Sequence, residues 1–200
     1  MMRLSGEGLA VERGGRVVFS GVNLALTAGE VLVLTGRNGA GKTSLLKLIA
    51  GILKPSSGAL SLAGGHGDLS IGQQTHLVAH NDALKPALTV EENLQFWTGF
   101  LGGDGVEAGL QAFGLGELAG VPAGVLSAGQ QRRLSLARLV AVHRPIWLLD
   151  EPTVGLDDPS LDQLALQMRE HLKAQGLIVA ATHGALPVRA TSKIDLGNLP

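Results

Sequence analysis

The chain has 200 residues, 45% of them hydrophobic, with a formal net charge of −1 at pH 7 and no cysteine. This length supports one compact domain with its own core and leaves little room for a second domain. The near-neutral charge excludes attachment to nucleic acid or to an anionic membrane by charge alone, and the lack of cysteine excludes disulfides and thiolate metal sites. No stretch approaches the ~20 apolar residues that span a bilayer, and the first residues show no signal-peptide pattern, so we expect a cytoplasmic chain.

The first part of the chain predicts a β-layer followed by a buried strand. Residues 16–19 and 22–26 are short β-type runs separated by turn residues, which indicates antiparallel strands. Residues 31–34 form a continuous apolar run that suits a strand buried on both faces. A helical pattern begins near residue 45, so the glycine-rich segment between them joins a strand to a helix.

This glycine-rich segment has the composition of a phosphate-binding loop. It comprises Gly36, Arg37, Asn38, Gly39, Ala40, Gly41, Lys42 and Thr43, followed by Ser44. Glycines allow the backbone to turn tightly and direct N–H groups at phosphate oxygens, and the helix N-terminus adds positive potential. Lys42 would reach the β- and γ-phosphates of a nucleotide, and the Thr43 hydroxyl would bind Mg²⁺. An ordinary glycine-rich turn is the alternative, but the flanking strand and helix favour phosphate binding.

The middle of the chain predicts a helical region, and the end predicts alternating strands and helices. Further strands are predicted at residues 59–62, 75–79, 146–150 and 177–181. Helical periodicity extends over residues 89–142, with Thr89 as an N-cap, and over residues 159–173. The alternation after residue 143 predicts a parallel α/β sheet.

Two adjacent carboxylates, Asp150 and Glu151, stand at the end of a predicted buried strand. Magnesium keeps several waters and uses few protein carboxylates, so Asp150 with Thr43 is a sufficient protein ligand set. A solvated acidic strand end is the ordinary alternative. The complete phosphate loop upstream favours the metal site.

A third motif, Leu-Ser-Ala-Gly-Gln at residues 126–130, lies between the phosphate loop and the acidic strand end. The three motifs have the order and spacing of the ATP-binding-cassette (ABC) ATPases, and the chain resembles this superfamily along nearly all its length. The resemblance implies an α/β fold, namely a P-loop nucleotide-binding domain with a RecA-like core, an N-terminal antiparallel β-layer and a small helical lobe. It implies a single domain over residues 1–200, with 1–75 and 144–200 forming the core and β-layer and about 76–143 forming the lobe.

The same resemblance implies ATP and Mg²⁺ as cofactors and assigns three catalytic residues. Glu151 is the general base or the residue that positions the water attacking the γ-phosphate. His183, which follows the last buried strand, contacts the γ-phosphate and steadies that water. Lys42 completes this set.

The Leu-Ser-Ala-Gly-Gln motif implies a second chain. In ABC ATPases its residues, here Ser127, Gly129 and Gln130, contact the γ-phosphate of an ATP held by another subunit, and a helix N-terminus suits that contact. A simple helix cap is the alternative for the motif in isolation. The resemblance therefore implies a head-to-tail homodimer bridged by ATP.

Two positions depart from the general ABC pattern. The superfamily usually has an aromatic residue that stacks on adenine, and Arg13 stands at that position. Its guanidinium could stack on the base, Phe19 could approach the base instead, or Arg13 could be a solvated turn charge. The glutamine that links Mg²⁺ to the helical lobe corresponds to His80, with Gln74 as the alternative if the strand register is shifted.

Residues 78–94, together with Phe96 and Trp97, resemble the ATP-binding subunits of the haem exporter used in cytochrome c maturation, a group that also has histidine at the position of His80. This resemblance implies a peripheral subunit on the cytoplasmic side of the bacterial inner membrane. It also implies integral membrane subunits as partners.

Other functions of the same superfamily remain open from the sequence. They are the ATPase subunit of another small-cassette exporter, a soluble ABC protein outside transport, and a nucleotide-binding module without hydrolysis. Soluble ABC proteins that act on DNA or ribosomes usually carry a coiled-coil insertion or two fused cassettes, and this chain has neither, so we expect no nucleic-acid partner. The intact Glu151 favours hydrolysis.

Overall fold

The computed structural model describes residues 1–198, and eight strands in this range form two sheets. In chain order the strands are β1 (Arg3–Arg13), β2 (Arg16–Thr27), β3 (Val31–Thr35), β4 (Ser57–Ala63), β5 (Thr75–Val78), β6 (Ile146–Asp150), β7 (Leu177–Ala181) and β8 (Ser192–Asp195). The α-helices are α1 (Lys42–Ile49), α2 (Val90–Leu101), α3 (Val106–Ala112), α4 (Ala128–Ala141) and α5 (Asp158–Lys173). None of the helices in residues 1–198 is long and apolar enough to cross a membrane.

The first sheet is antiparallel, has the order β2-β1-β4 and forms the predicted N-terminal β-layer. The predicted runs at residues 16–19 and 22–26 are parts of one strand, β2, which continues through Gly21 at a φ of 67°. Strand β1 begins at Arg3, well before the predicted runs. Gly6 occupies a buried position there, and a Cβ would lie 2.5 Å from Cδ1 of Leu9. Because this buried position has no apolar side chain, the sequence at the start of β1 lacks the pattern by which the strand could have been predicted.

The second sheet is parallel and has the order β5-β6-β7-β3-β8. Strands β6 and β7 are buried along their whole length, which explains their unbroken apolar sequences. The predicted parallel α/β core is confirmed. Leu34 of β3 pairs with Ala181 of β7, which also pairs with Asp150 of β6. The carboxyl ends of the three strands thus meet at one edge, where ligands bind in open α/β sheets.

Helices α2, α3 and α4 lie between β5 and β6 in the chain. The first of them begins at a capping box, in which the Thr89 hydroxyl accepts from the N–H of Glu92 at 3.1 Å, so the predicted N-cap is confirmed. The three helices pack around buried side chains that include Leu94, Phe113 and Leu134. Strand β5 pairs with β6 and therefore belongs to the parallel sheet.

Two histidines are buried in the core. His76 on β5 is 3% exposed, and its Nε2 lies 2.7 Å from the carbonyl oxygen of Val142. His171 on α5 is 7% exposed and stacks on Trp147, with ring centroids 3.9 Å apart. Because desolvation disfavours the imidazolium ion, burial lowers the pKa of His76 to about 3 and the pKa of His171 to about 4.

We expect the free energy of unfolding to fall as the pH is lowered from 7 to 5. The ordinary histidine pKa is 6.5, so the unfolded chain takes up protons at both positions in this window while the folded chain keeps both rings neutral. Stability therefore decreases with decreasing pH, by about 2 kcal/mol for each histidine between pH 7 and pH 5. Urea unfolding at several pH values measures this slope.

The His76→Gln variant should have a smaller slope. Its amide can still donate to the carbonyl oxygen of Val142 but takes up no proton in this pH range. A slope equal to that of the wild type would contradict a neutral, buried His76.

Candidate functional site

The phosphate loop runs from the end of β3 into the first residue of α1. Gly41 is the N-cap residue of α1 and has a left-handed backbone, with φ 100° and ψ 4°. A Cβ at this position would lie 2.8 Å from Cδ1 of Phe19 and 3.0 Å from Cγ1 of Val18. Gly36 has a φ of 131°, and a Cβ there would lie 2.8 Å from the backbone nitrogen of Gly197. The loop can close over the start of α1 only because these two residues lack side chains.

The phosphate loop forms one wall of a cavity of about 510 Å³. Residues that follow β5, β6 and β7 form the other walls. The lining residues are Val18, Asn38, Gly39, Gly41, Lys42, Thr43, Ser44, His80, Asp150, Glu151, Val154 and His183. All of them except Val18 and Val154 are residues that the sequence predicts for the site. The fold therefore brings together the three residues predicted to be catalytic and the two predicted to bind Mg²⁺.

Lys42 is only 8% exposed, although it lines the cavity. Its Nζ donates to the carbonyl oxygen of Gly36 at 2.7 Å and lies 3.0 Å from Nε2 of His183. The same Nε2 lies 2.9 Å from Oδ1 of Asn38. The ammonium group is thus held against a backbone carbonyl oxygen and an imidazole ring, and the negatively charged oxygens of a phosphate would offer it stronger hydrogen bonds.

Thr43 and Asp150 are in direct contact at the cavity wall. The Thr43 hydroxyl donates to Oδ2 of Asp150 at 2.7 Å, and Asp150 is 5% exposed. A hydroxyl oxygen and a carboxylate oxygen, completed by phosphate oxygens and water, are the ligands that Mg²⁺ prefers. The residues present therefore fit the predicted metal site.

Glu151 combines a constrained backbone with a largely buried carboxylate. Its φ of 48° lies in the left-handed region, which costs about 1–2 kcal/mol for a residue with a Cβ. Its Oε2 accepts from the N–H of His183 at 3.3 Å. Its Oε1 is buried 3.7 Å from Nε2 of His183 and has no hydrogen-bond partner in residues 1–198. A buried carboxylate oxygen in this state, on a cavity wall, is suited to accept a proton from water.

Ser127, Gly129 and Gln130 lie at the partly exposed N-terminus of α4 and do not line this cavity. The Ser127 hydroxyl accepts from the N–H of Gln130 at 3.3 Å, and the Gln130 side chain accepts from the N–H of Ser127 at 2.8 Å. This reciprocal pair is a capping box. The positive end of a helix that faces outward is suited to an anion held by another molecule.

The remaining residues predicted to bind the nucleotide are Arg37 and Ala40 of the phosphate loop and Arg13, with Phe19 as the alternative for the contact with the base. Arg37 and Ala40 line a neighbouring cavity of about 590 Å³, together with Val17, Val18 and Phe19 among others. Phe19 is 3% exposed, so it offers little surface to a base. Arg13 is exposed beside the turn between β1 and β2, and it lines neither cavity.

His80 and Gln74, the two residues considered for the position that links Mg²⁺ to the lobe, have different surroundings. His80 is exposed and lines the cavity. Gln74 is 3% exposed, and its Nε2 donates to the carbonyl oxygens of His66 and Leu69 at 3.2 and 3.0 Å. Gln74 therefore organises the loop before β5, and His80 is the one of the two that reaches the cavity.

Sequence reasoning missed Arg132, which is buried beside the site. Its Nη2 donates to the carbonyl oxygens of Asp150 and Glu151 at 3.0 and 2.8 Å. The sequence contains no signal for this role, because an arginine near the start of a helix most often lies at the surface. Val18 and Val154 were also missed, since single valines carry no chemical signature.

Comparisons with known proteins agree with this geometry. A profile of the ABC transporter family matches residues 19–154. The chain is 54% identical over 198 residues to the cytochrome c biogenesis ATP-binding export protein CcmA of Rhodopseudomonas palustris strain HaA2, with 98% of both chains covered. It is 53% identical over 189 residues to the protein of the same name from Bradyrhizobium diazoefficiens, with 94% of both chains covered.

Solved structures share the fold. A structure of the ATP-binding subunit of an ABC transporter has a TM-score of 0.80 and 25% identity, covering 90% of this chain and 79% of that chain. A putative ABC transporter ATP-binding protein from Pyrococcus furiosus has a TM-score of 0.83 and 24% identity, covering 98% of both chains. The family resemblance inferred from the motifs is confirmed: this chain belongs to the ABC transporter family, in the group of the cytochrome c biogenesis ATP-binding export proteins.

Proposed function

We propose that this chain is the ATP-hydrolysing subunit of a membrane ABC transporter complex that serves cytochrome c biogenesis, with haem as the exported compound. The observation that carries the ATPase proposal is the convergence of Lys42, Thr43, Asp150, Glu151 and His183 on one cavity. The names of the relatives support the biological process. Haem as the exported compound depends on the resemblance around residue 80, because an ATPase subunit does not itself contact the cargo.

In this proposal the phosphate loop binds ATP through its backbone N–H groups and through Lys42. The residues involved are Gly36, Arg37, Asn38, Gly39, Ala40, Gly41, Lys42, Thr43 and Ser44. Arg13 lies on the hairpin next to the cavity that contains Val17 and Val18 and remains the residue proposed to stack on the base. Thr43 and Asp150 would hold Mg²⁺, which neutralises charge on the β- and γ-phosphates.

Hydrolysis then requires one water molecule in line with the γ-phosphorus. The unpartnered Oε1 of Glu151 orients this water and accepts its proton, while the water oxygen bonds to phosphorus and the bond to the bridging oxygen of ADP breaks. His183, between Glu151 and Lys42, contacts the γ-phosphate. Most of the rate enhancement comes from positioning and charge stabilisation.

Two copies of the chain complete the site. Ser127 is exposed, Gly129 and Gln130 are partly exposed, and none of the three lines the cavity of its own chain. In a head-to-tail homodimer their N–H groups and the Ser127 hydroxyl contact the γ-phosphate bound by the opposite subunit. ATP thereby bridges the two chains.

The transporter partners are integral membrane subunits, and we place this subunit on the cytoplasmic side of the bacterial inner membrane. The loop from His80 to Pro86 lies between the parallel sheet and the helical lobe and is the proposed contact region. The chain forms a single ABC ATPase domain over residues 1–200. Within it we propose the helical lobe at about residues 76–143, and the pairing of β5 with β6 supports a start close to Val78.

The Glu151→Gln variant should bind ATP but hydrolyse it at least about 100-fold more slowly than the wild type, because an amide cannot accept the proton of the attacking water. Slow hydrolysis should trap an ATP-bridged dimer. Phosphate release measures turnover, and size-exclusion chromatography with Mg²⁺ and ATP measures the dimer. Turnover equal to the wild type would refute the role of Glu151.

A second substitution tests the dimer itself. Adding Ser127→Arg to Glu151→Gln should leave ATP binding to the single chain intact and abolish the trapped dimer, since the bulky cation blocks the N-terminus of α4. A dimer that survives this substitution would contradict the proposed arrangement.

The magnesium site is tested by Thr43→Val, which removes the hydroxyl and keeps a branched side chain. We expect at least about a tenfold loss of ATPase activity and a higher Mg²⁺ concentration for half-maximal activity. Thr43→Ser keeps the hydroxyl and is the matched control, with activity near that of the wild type. Equal Mg²⁺ dependence in the valine variant would exclude Thr43 as a ligand.

The transporter assignment predicts that the tagged chain, purified from detergent-solubilised bacterial membranes, brings integral membrane proteins with it. Mass spectrometry identifies them. A chain recovered alone from membranes, or bound to ribosomes or DNA, would contradict the assignment and favour a soluble ABC protein.

A further inference from the structure

Arg132 of α4 is a buried arginine that the mechanism above does not use. Its side chain is 6% exposed, and a guanidinium removed from water needs acceptors for its N–H groups. Nη1 donates to the carbonyl oxygen of Ala79 at 3.0 Å and to Oδ1 of Asp82 at 2.8 Å. Nη2 donates to the carbonyl oxygens of Asp150 and Glu151 at 3.0 and 2.8 Å. One side chain thus connects the loop after β5 with the carboxyl end of β6.

The contacts of Nη2 bear on the direction of the Glu151 carboxylate. Glu151 has a φ of 48°, and a non-glycine residue keeps such a backbone only when its surroundings hold it there. Its N–H donates to the carbonyl oxygen of Ala181 at 2.8 Å, and its own carbonyl oxygen accepts from Arg132 and, at 3.3 Å, from the N–H of Val154. Arg132 therefore supplies the shorter of the two hydrogen bonds that fix this carbonyl group.

The contacts of Nη1 bear on the loop that contains His80. Ala79 and Asp82 flank His80, which lines the nucleotide cavity. Ser135, one turn further along α4, donates its hydroxyl to the carbonyl oxygen of Asp82 at 3.2 Å. The loop is thereby held to α4 at three points, and a displacement of Asp82 would act directly on the guanidinium.

We propose that Arg132 is a positioning residue that holds the Glu151 backbone in its hydrolytic conformation, and that Asp82 couples this conformation to the loop at residues 79–82. The inference rests on the proposed ATPase function, since Arg132 acts through Glu151. Arg132 does not line the cavity, so it governs turnover and not ATP affinity. Lysine cannot replace it, because an ammonium group lacks the planar fork that reaches Asp82 and the carbonyl oxygens of Asp150 and Glu151.

The first test is Arg132→Lys, which keeps a positive charge near the partly buried carboxylate of Asp82. We expect kcat to fall at least about tenfold, with the ATP dissociation constant within about twofold of the wild type. Arg144→Lys is the matched control, because Arg144 also donates to a backbone carbonyl oxygen, that of Leu101 at 2.6 Å, outside the cavity. Its kcat should be unchanged. A wild-type kcat in Arg132→Lys, or a loss of ATP affinity in step with kcat, would overturn the proposal.

Introducing Arg132→Lys into the Glu151→Gln chain separates positioning from general structural support. With the carboxylate already removed, the double variant should bind ATP and form the trapped dimer as Glu151→Gln does. Loss of ATP binding in the double variant would mean that Arg132 supports the structure and not Glu151. Full turnover in Arg132→Lys beside an inactive Glu151→Gln would refute this inference alone, whereas full turnover in Glu151→Gln would refute the proposed function.

Asp82→Asn tests the coupling to the loop. The amide oxygen can still accept from Arg132 but carries no charge, so we expect kcat to fall about threefold at unchanged ATP affinity. If both residues act through one contact, Asp82→Asn combined with Arg132→Lys should be no slower than Arg132→Lys alone. Losses that multiply in the combined variant would overturn the coupling.

Discussion

Strand β7 sets the separation between the phosphate loop and the carboxylate pair. Leu34 of β3 and Asp150 of β6 both pair with Ala181 of β7, so the ends of β3 and β6 stand two strand spacings apart, roughly 10 Å. Thr43 at the start of α1 reaches across to Asp150, and their hydrogen bond of 2.7 Å closes the gap. His183 follows β7 and therefore enters the site between the two groups. A shift in the pairing of β7 would disturb the contact between Thr43 and Asp150 and the position of His183 together.

The sequence predicts those parts of the molecule whose characteristic residues follow one another in a single continuous segment. The apolar runs at residues 146–150 and 177–181 coincide with β6 and β7, because both strands are buried on both faces. The phosphate loop is likewise one unbroken motif. Arg132 could not be predicted, because its acceptor Asp82 is 50 residues away and its acceptors Asp150 and Glu151 are 18 and 19 residues away. Contacts between separate segments leave no local pattern.

Helix α4 carries two kinds of contact. Its N-terminus presents Ser127 to the exterior, while Arg132, Ser135 and Arg138 bind carbonyl oxygens of the segment from Leu77 to Asp82. Burial lowers the pKa of Arg138 to about 10, so this guanidinium stays charged at neutral pH. The surface proposed to meet a second chain and the backbone of Glu151 are therefore attached to the same helix. Arg132 binds acceptors in the loop after β5 and at the end of β6. A rotation of the helical lobe would change the distance between these two groups of acceptors.

Gly41 and Glu151 both have a positive φ, for opposite reasons. At Gly41 a Cβ would lie 2.8 Å from Phe19, so the loop excludes every side chain. At Glu151 a glycine would relieve the strain, but the proposed chemistry requires a side-chain carboxylate at this position. The cost of about 1–2 kcal/mol is smaller than the sum of the three hydrogen bonds to the Glu151 backbone, from Arg132 and Val154 and to Ala181, at about 1 kcal/mol each. The folded chain therefore tolerates the strain, and in the proposed mechanism the neighbours of Glu151 fix the direction of its carboxylate. The need to hold this carboxylate in one direction is a physical reason to keep a buried arginine beside the site despite the free-energy cost of removing its charge from water.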